Sequence, residues 1–196
     1  MDSAPAPVAS IPADMQPIFD LVAAQMGFVP NSFLTMLKRP ALLQAFMPLA
    51  AYVFSDNCSI EPGLTQMAAY MASYGAGCRY CQAHTSHGAE KAGLSAEKIA
   101  NLWQFEASDL FDAREKALCD FAMAAGQTPN AVTADHHSRL RQFFSEGEVV
   151  DLVAIISLFG FLNRWNDTMA TPLETGPAEF ASAHLNQSGW KLGKHG

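Results

Sequence analysis

Between residues 13 and 169 the apolar side chains recur three and four positions apart, and no segment alternates convincingly between apolar and polar residues. A period near 3.6 without a period of two restricts the chain to helices packed on helices, so an all-α bundle forming a single compact domain is predicted. Proline and glycine punctuate the pattern. Pro40 and Pro62 each suit the first position of a helix, while Gly27 and the run Gly75-Ala76-Gly77 suit helix ends. The predicted helices cover 13–26, a short stretch from a cap at Asn31 or Ser32 to Leu37, a helix from Pro40 with Leu43, Phe46, Met47 and Ala50 on one face, 62–76 and 78–93. A short helix follows a cap at Ser95, another runs from Asp109 or Asp112 to Met123, and the last two cover 133–144 and 147–169. Pro48 should kink or break the third helix. The first half of 147–169 is apolar nearly all round, which marks it as the most buried element, packed on 78–93 together with the helix from Pro62.

The 196 residues suffice for one sizeable core. Residues 1–12 read as a flexible Pro/Ala leader, 13–171 as the helical domain, and 172–196, with its Gly, Pro and His, as an irregular tail. Only 16% of residues are charged against 49% hydrophobic, which points to surface covered by further subunits, hence a homo-oligomer. The net charge of −7 and the lack of a Lys/Arg cluster argue against nucleic acid as a partner. Residues 1–7 have neither the basic nor the apolar part of a secretory signal. The longest apolar stretch, 149–162, contains Asp151 and falls short of the roughly 20 residues that span a bilayer. A cytoplasmic protein with no membrane partner is therefore expected, and in that reducing setting four cysteines are not a disulfide framework.

The chemistry concentrates in Gly77-Cys78-Arg79-Tyr80-Cys81-Gln82-Ala83-His84-Thr85-Ser86-His87. On a helix, Cys78, Cys81, His84, Thr85, Gly88 and Ala92 share about a third of the circumference. Two thiols one turn apart at a helix start can close a disulfide with modest adjustment, and the N-terminal field favours thiolate there. His84, one turn past Cys81, is placed to support that thiolate or to move its proton. Three other readings stand beside this one. The cysteines can be chance neighbours in a core, His84 can be a structural histidine, and Cys78, Cys81, His84 and His87 have the spelling of a zinc site. One straight helix cannot wrap four such side chains into a tetrahedron, so no metal is expected. Cys119 lies in the apolar face with Phe121 and Ala122 and reads as a small core residue, and Cys58 has no partner at motif spacing. Glu61 reads as a complement to a helix N-terminus, and His87, His136 and His137 as solvent-facing.

The order Gly27-Phe28-Val29-Pro30-Asn31, Cys78-Arg79-Tyr80-Cys81, Ala92-Gly93-Leu94-Ser95 and Phe161-Leu162-Asn163-Arg164-Trp165-Asn166-Asp167 resembles the alkyl hydroperoxidase D (AhpD)-like and carboxymuconolactone decarboxylase superfamily over most of the chain. The resemblance implies an all-helical trimer or hexamer with no cofactor. It implies a peroxidase-type thiol–disulfide oxidoreductase that reduces a small hydroperoxide and is recharged by a thiol reductant or dithiol adaptor protein. Cys81 would then be peroxidatic and Cys78 resolving. The decarboxylase branch does not rely on such a pair, so the cysteines favour the redox branch over a cofactor-free decarboxylase or isomerase, and over a non-catalytic or redox-sensing oligomer. Two positions depart from the family pattern. The relay glutamate twelve residues before the first cysteine is Gln66, and the relay histidine four after the second is Thr85, with His84 one place earlier. Gln66 cannot exchange protons near neutral pH. With the stripe Gln66, Tyr70 and Ser73 facing the pair, as the resemblance implies, Gln66→Glu is expected to quicken peroxide turnover.

Overall fold

A computed structural model describes residues 4–196, and among them every regular element is helical. Ten α-helices follow in order: α1 Gln16–Met26, α2 Asn31–Met36, α3 Pro40–Val53, α4 Pro62–Ala76, α5 Arg79–Lys91, α6 Ala96–Ala100, α7 Ala113–Gly126, α8 Ala134–Leu140, α9 Glu146–Met169 and α10 Thr175–His184. Most starts are set as the sequence predicts: Pro40 and Pro62 open α3 and α4, the Ser95 hydroxyl accepts the Lys98 N–H, and Asp112 forms a reciprocal capping box with Glu115. Two differ: α2 begins at Asn31 behind Pro30 with no side-chain cap, and α9 begins one residue before Gly147 on a second capping box, Ser145 with Glu148. Of the predicted leader, residues 1–3 lie outside the described residues; the part that follows has no helix before Gln16, although Val8 N–H donates to the Leu34 carbonyl.

The central element is α4, not α9. Leu64, Thr65 and every residue from Met67 to Ser73 are buried, with α5, α7 and α9 packed around them. Small residues explain the tight fit against α7. A Cβ on Gly126 would stand 2.2 Å from the Ala72 carbonyl oxygen, and one on Gly75 would stand 2.3 Å from that of Met123, so these backbones touch directly. By contrast, α9 buries Leu152, Ile155, Ile156, Leu158 and Phe159 but leaves Val150 67% and Val153 43% exposed. The expectation that α9 is the most buried element is thus corrected: its apolar circumference exceeds the core offered by one chain.

Two further expectations change. Pro48 does not break α3, which runs to Val53. The Gln44 carbonyl that loses its partner belongs to an exposed residue, and Leu43, Phe46, Ala50 and Val53 hold the opposite face in the core. The tail 172–196 is not irregular, because it carries α10, whose Pro177 lies within the first turn, where a missing N–H costs nothing. Phe180 and Ala181 are buried and α10 packs on α5. The tail's end stays on the same helix: Trp190 Nε1 donates to the Arg79 carbonyl at 2.9 Å, and His195 is buried beside Tyr80. α8 is shorter than predicted, ending at Leu140. Its histidines are half-buried, His136 capping Thr133 and lying 3.5 Å from Asp120, His137 edge-on to Phe121.

Candidate active site

Gly77 ends α4 in the left-handed conformation, φ 75°, and the chain turns at once into α5. Cys78 is the N-cap of α5. Its N–H donates to the Ser73 carbonyl at 3.1 Å, and its sulfur accepts the Cys81 backbone N–H at 3.4 Å. Cys81 sits inside the first turn with its thiol toward Cys78, and Asn166 of α9 donates Nδ2 to its sulfur at 3.5 Å. Both cysteines are free and almost wholly buried.

These contacts polarise the pair. The Cys81 thiol donating to Cys78, helped by the Cys81 N–H, outweighs burial and holds Cys78 below the ordinary thiol range. Burial pushes Cys81 well above it, and the negative charge developing on Cys78 pushes the same way. The helix-start N–H thus favours negative charge on the Cys78 sulfur over the Cys81 sulfur.

His84 lies one turn further along α5. Its Nε2 donates to Glu174 Oε2 at 2.5 Å, and its ring stacks on Tyr80 at 4.3 Å and meets the edge of Phe28 at 5.3 Å. Glu174, the N-cap of α10, also accepts the Tyr80 hydroxyl at 2.8 Å and the Asn31 N–H at 2.5 Å. Burial raises the Glu174 pKa, but the bond and charge of His84, with Asn31 and Tyr80, win and hold it below the usual carboxylate value. Burial first, and the adjacent Glu174 second, push the Tyr80 phenol well up, so Tyr80 stays a donor. Beside Glu174 opens a hollow of about 540 Å³ lined by Met26, Phe28, Asn31, His87 and Lys91 among others. His87 is not a free surface group. It stacks on Phe28 at 6.1 Å, and burial, then the Lys91 charge, lower its pKa.

The structure therefore brings Cys78, Cys81 and His84 to one end of α5 and leaves Gln66 at the other. The Gln66 amide lies over Gly88, where an added Cβ would meet its Oε1 at 2.7 Å. Gly88 is seven residues past Cys81, about 10 Å along the helix axis. Thr85 is occupied by its own helix, its hydroxyl donating to the Cys81 carbonyl at 2.7 Å. Among the described residues no three His, Cys, Asp or Glu side chains gather as metal ligands, and no helix is long and apolar enough to cross a membrane. Sequence reasoning missed Glu174, whose only signal was an acid beside the Pro/Gly-rich tail. Phe28, Asn31, Tyr80 and Asn166 stood in the quoted motifs without a role.

The carboxymuconolactone decarboxylase family matches residues 40–124, from the start of α3 almost to the end of α7. The debrominase Bmp8, as a cysteine-to-alanine variant in complex with 2,3,4-tribromopyrrole, is 31% identical, covers 93% of this chain and 98% of its own, and superposes with a TM-score of 0.86. The AhpD core of an uncharacterized peroxidase-related protein from Ralstonia eutropha JMP134 is 26% identical over 90% of this chain and 94% of its own, with a TM-score of 0.74. The uncharacterized protein YnjA of Escherichia coli K12 is 23% identical over 168 residues, 86% of this chain and 92% of that protein. On its motifs, its fold and these relatives, the chain belongs to the AhpD-like and carboxymuconolactone decarboxylase superfamily.

Proposed function

We propose that this protein is a dithiol oxidoreductase in which Cys78 and Cys81 deliver two electrons to a small electrophile and return to thiols at the expense of an external thiol reductant. One observation carries the reading: Cys78 is the N-cap of α5 and its sulfur accepts the Cys81 N–H, a helix-start donor that the equally buried Cys81 sulfur lacks. That polarity makes Cys78 the attacking sulfur and Cys81 the resolving one, the reverse of the order that the family resemblance implies. With a hydroperoxide, the Cys78 thiolate takes the distal oxygen, the O–O bond breaks, and the alkoxide leaves and is protonated as an alcohol. The Cys81 sulfur then displaces water from the Cys78 sulfenic acid and closes the disulfide. His84, one turn past Cys81 on α5 and held by Glu174, is assigned these proton movements.

A second substrate class, the organobromides, is favoured by the 31% identity to a debrominase along nearly the whole chain. The balance is the same: a carbon–bromine bond and two thiols become a carbon–hydrogen bond, bromide, a proton and one disulfide. The absence of a carboxylate at Gln66 fits this class as well as the first. The apolar residues that stay exposed on α9 and near the end of α3, Val150, Val153, Leu49 and Phe54, support a homo-oligomer; that it is a trimer or hexamer rests on the family resemblance, and its cytoplasmic setting on the sequence. Sedimentation should give a species larger than the 21.2 kDa chain at micromolar concentration, and a monomer would refute that part.

The decisive experiment treats the reduced protein with one equivalent of cumene hydroperoxide or of 2,3,4-tribromopyrrole and maps thiols by mass spectrometry. A Cys78–Cys81 disulfide formed with either compound, and multiple turnover once a thiol reductant is added, is the expected result. In the Cys81→Ser variant, dimedone should label Cys78 after peroxide. Labelling of Cys81 in Cys78→Ser, without labelling of Cys78 in the reciprocal variant, would invert the assignment. Intact thiols with both compounds would end the redox reading.

A further inference from the structure

The wall of the site opposite Cys78 comes from the last turns of α9. Asn166 there is 1% exposed, and its amide is tied down at one end only: Nδ2 reaches the Cys81 sulfur at 3.5 Å, while Oδ1 is buried without a partner. Buried polar atoms are normally paired, and an amide left half-satisfied in a core is costly. A leucine would fill much the same volume without that cost. The single bond Asn166 does make is to a sulfur that changes charge in the cycle proposed above.

That cycle needs such a donor at one step. To regenerate the dithiol, a first external thiolate attacks the Cys78 sulfur, a mixed disulfide forms on Cys78, and the Cys78–Cys81 bond breaks. The electron pair then leaves on the Cys81 sulfur, to be protonated afterwards, and a second external thiolate later frees Cys78, forming the reductant's own disulfide. Departure is faster the more stable the leaving thiolate, and burial makes Cys81 a poor one. The helix-start N–H of Cys81 is already given to Cys78, so it does not serve. Among the described residues, the only hydrogen-bond donor recorded on the Cys81 sulfur besides the thiol pair itself is Asn166 Nδ2. The charged neighbour, Asp167 on the same helix, opposes the thiolate, and Lys194 pairs with it at 2.9 Å.

We infer that Asn166 is a catalytic residue of the reductive half-cycle, its side-chain N–H holding the Cys81 sulfur as that sulfur departs as thiolate. The inference rests on the dithiol reading, and its test is separable from it. In the Cys78→Ser background only one thiol of the pair remains, and the pH midpoint of Cys81 alkylation by iodoacetamide reports its ionisation without any substrate. Asn166→Leu should lower the Cys81 thiolate fraction at neutral pH about tenfold, the size of one hydrogen bond to a charged group. Asn166→Asp, which replaces the donor by a negative charge, should lower it further, and it serves if the leucine variant does not fold. With both cysteines present, the same variants should slow glutathione reduction of the Cys78–Cys81 disulfide severalfold, while its formation by peroxide changes less. An unchanged alkylation midpoint in both variants overturns the inference, even if Tm falls, since a purely structural Asn166 would move Tm alone. Failure of the disulfide to form at all would instead count against the dithiol reading, and the Cys81 midpoint would still decide the role of Asn166.

Discussion

The two ends of α5 are built from the same helix and touch different worlds. At its start, Cys81 is met by Asn166 from α9 and His84 by Glu174 at the start of α10, which the Asn31 N–H of α2 also holds. Toward its end, Gly88 is met by Gln66, which is bonded to neither thiol. Burial by itself does not separate an active thiol from an inert one. Cys119 on α7 is as buried as Cys81, and burial with the adjacent Glu115 charge pushes its thiol far up. What sets the α5 start apart is the supply of donors, from a helix N-terminus and from side chains far away in sequence. The family resemblance seeks a carboxylate at position 66; the carboxylate bonded to His84, one place before the family's relay histidine, is Glu174.

The sharpest way to break this comparison is at the cysteines. Cys78→Ser and Cys81→Ser should each reduce turnover to background, whereas Cys119→Ala should keep it, as measured with peroxide or bromopyrrole and a thiol reductant. Turnover surviving Cys78→Ser would remove the distinction between the two ends. Next in size is Glu174. Glu174→Ala strips His84, Tyr80 and the Asn31 N–H of their shared acceptor and should cost roughly 3–5 kcal/mol of stability, as for one partner removed from a buried pair, read by denaturant unfolding. Turnover should fall about a hundredfold if His84 moves the proton. The pH dependence has a definite sign. Because Glu174 is held below its unfolded value, its stabilisation is present in full above the ordinary glutamate pKa of about 4.3 and is lost as pH falls through the lower folded value. Wild type minus Glu174→Gln stability should therefore be flat at neutral pH and shrink in acid. A smaller effect is expected at Trp190, whose indole N–H holds the tail to the Arg79 carbonyl. Trp190→Phe should cost about 1 kcal/mol of stability, read by denaturant unfolding.

Much of this was legible in the sequence because it is local. Helix class, the caps at Ser95 and Asp112, the Gly77 turn and the placement of Cys78 at a helix start each depend on residues within a turn of one another. The polarity of the thiol pair was not legible, since it depends on which sulfur receives the Cys81 N–H. Nor were the partners of His84 and Cys81, which stand 90 and 85 positions away. Glu174 was hidden for a further reason: Gly176 and Pro177 read as breakers, yet they occupy the first turn of α10, where neither interrupts a bond. The α9 expectation failed because periodicity reports which residues avoid water, without saying whether one chain or several will cover them.

The smallest effect belongs to the other end of α5, and it is the one that sharpens the comparison most. On sequence spacing and family resemblance, Gln66→Glu should restore a proton relay and quicken peroxide turnover. The structure puts the carboxylate of such a variant over Gly88, about 10 Å along the axis from Cys81, with Thr85 between them bonded to its own helix. A base acts only within hydrogen-bond reach of the proton it moves, or through one water. His84, the proton carrier proposed above, is turned to Glu174. Gln66→Glu should then change turnover by no more than about twofold, the scale of a substitution that touches no critical contact. Its main cost should be the partial burial of a new charge, seen as a modest fall in Tm. A tenfold acceleration would mean that α4 can still drive the pair and that Glu174 only holds the tail. A null result, beside a large loss in Glu174→Gln, would leave the acid–base work with His84 and Glu174.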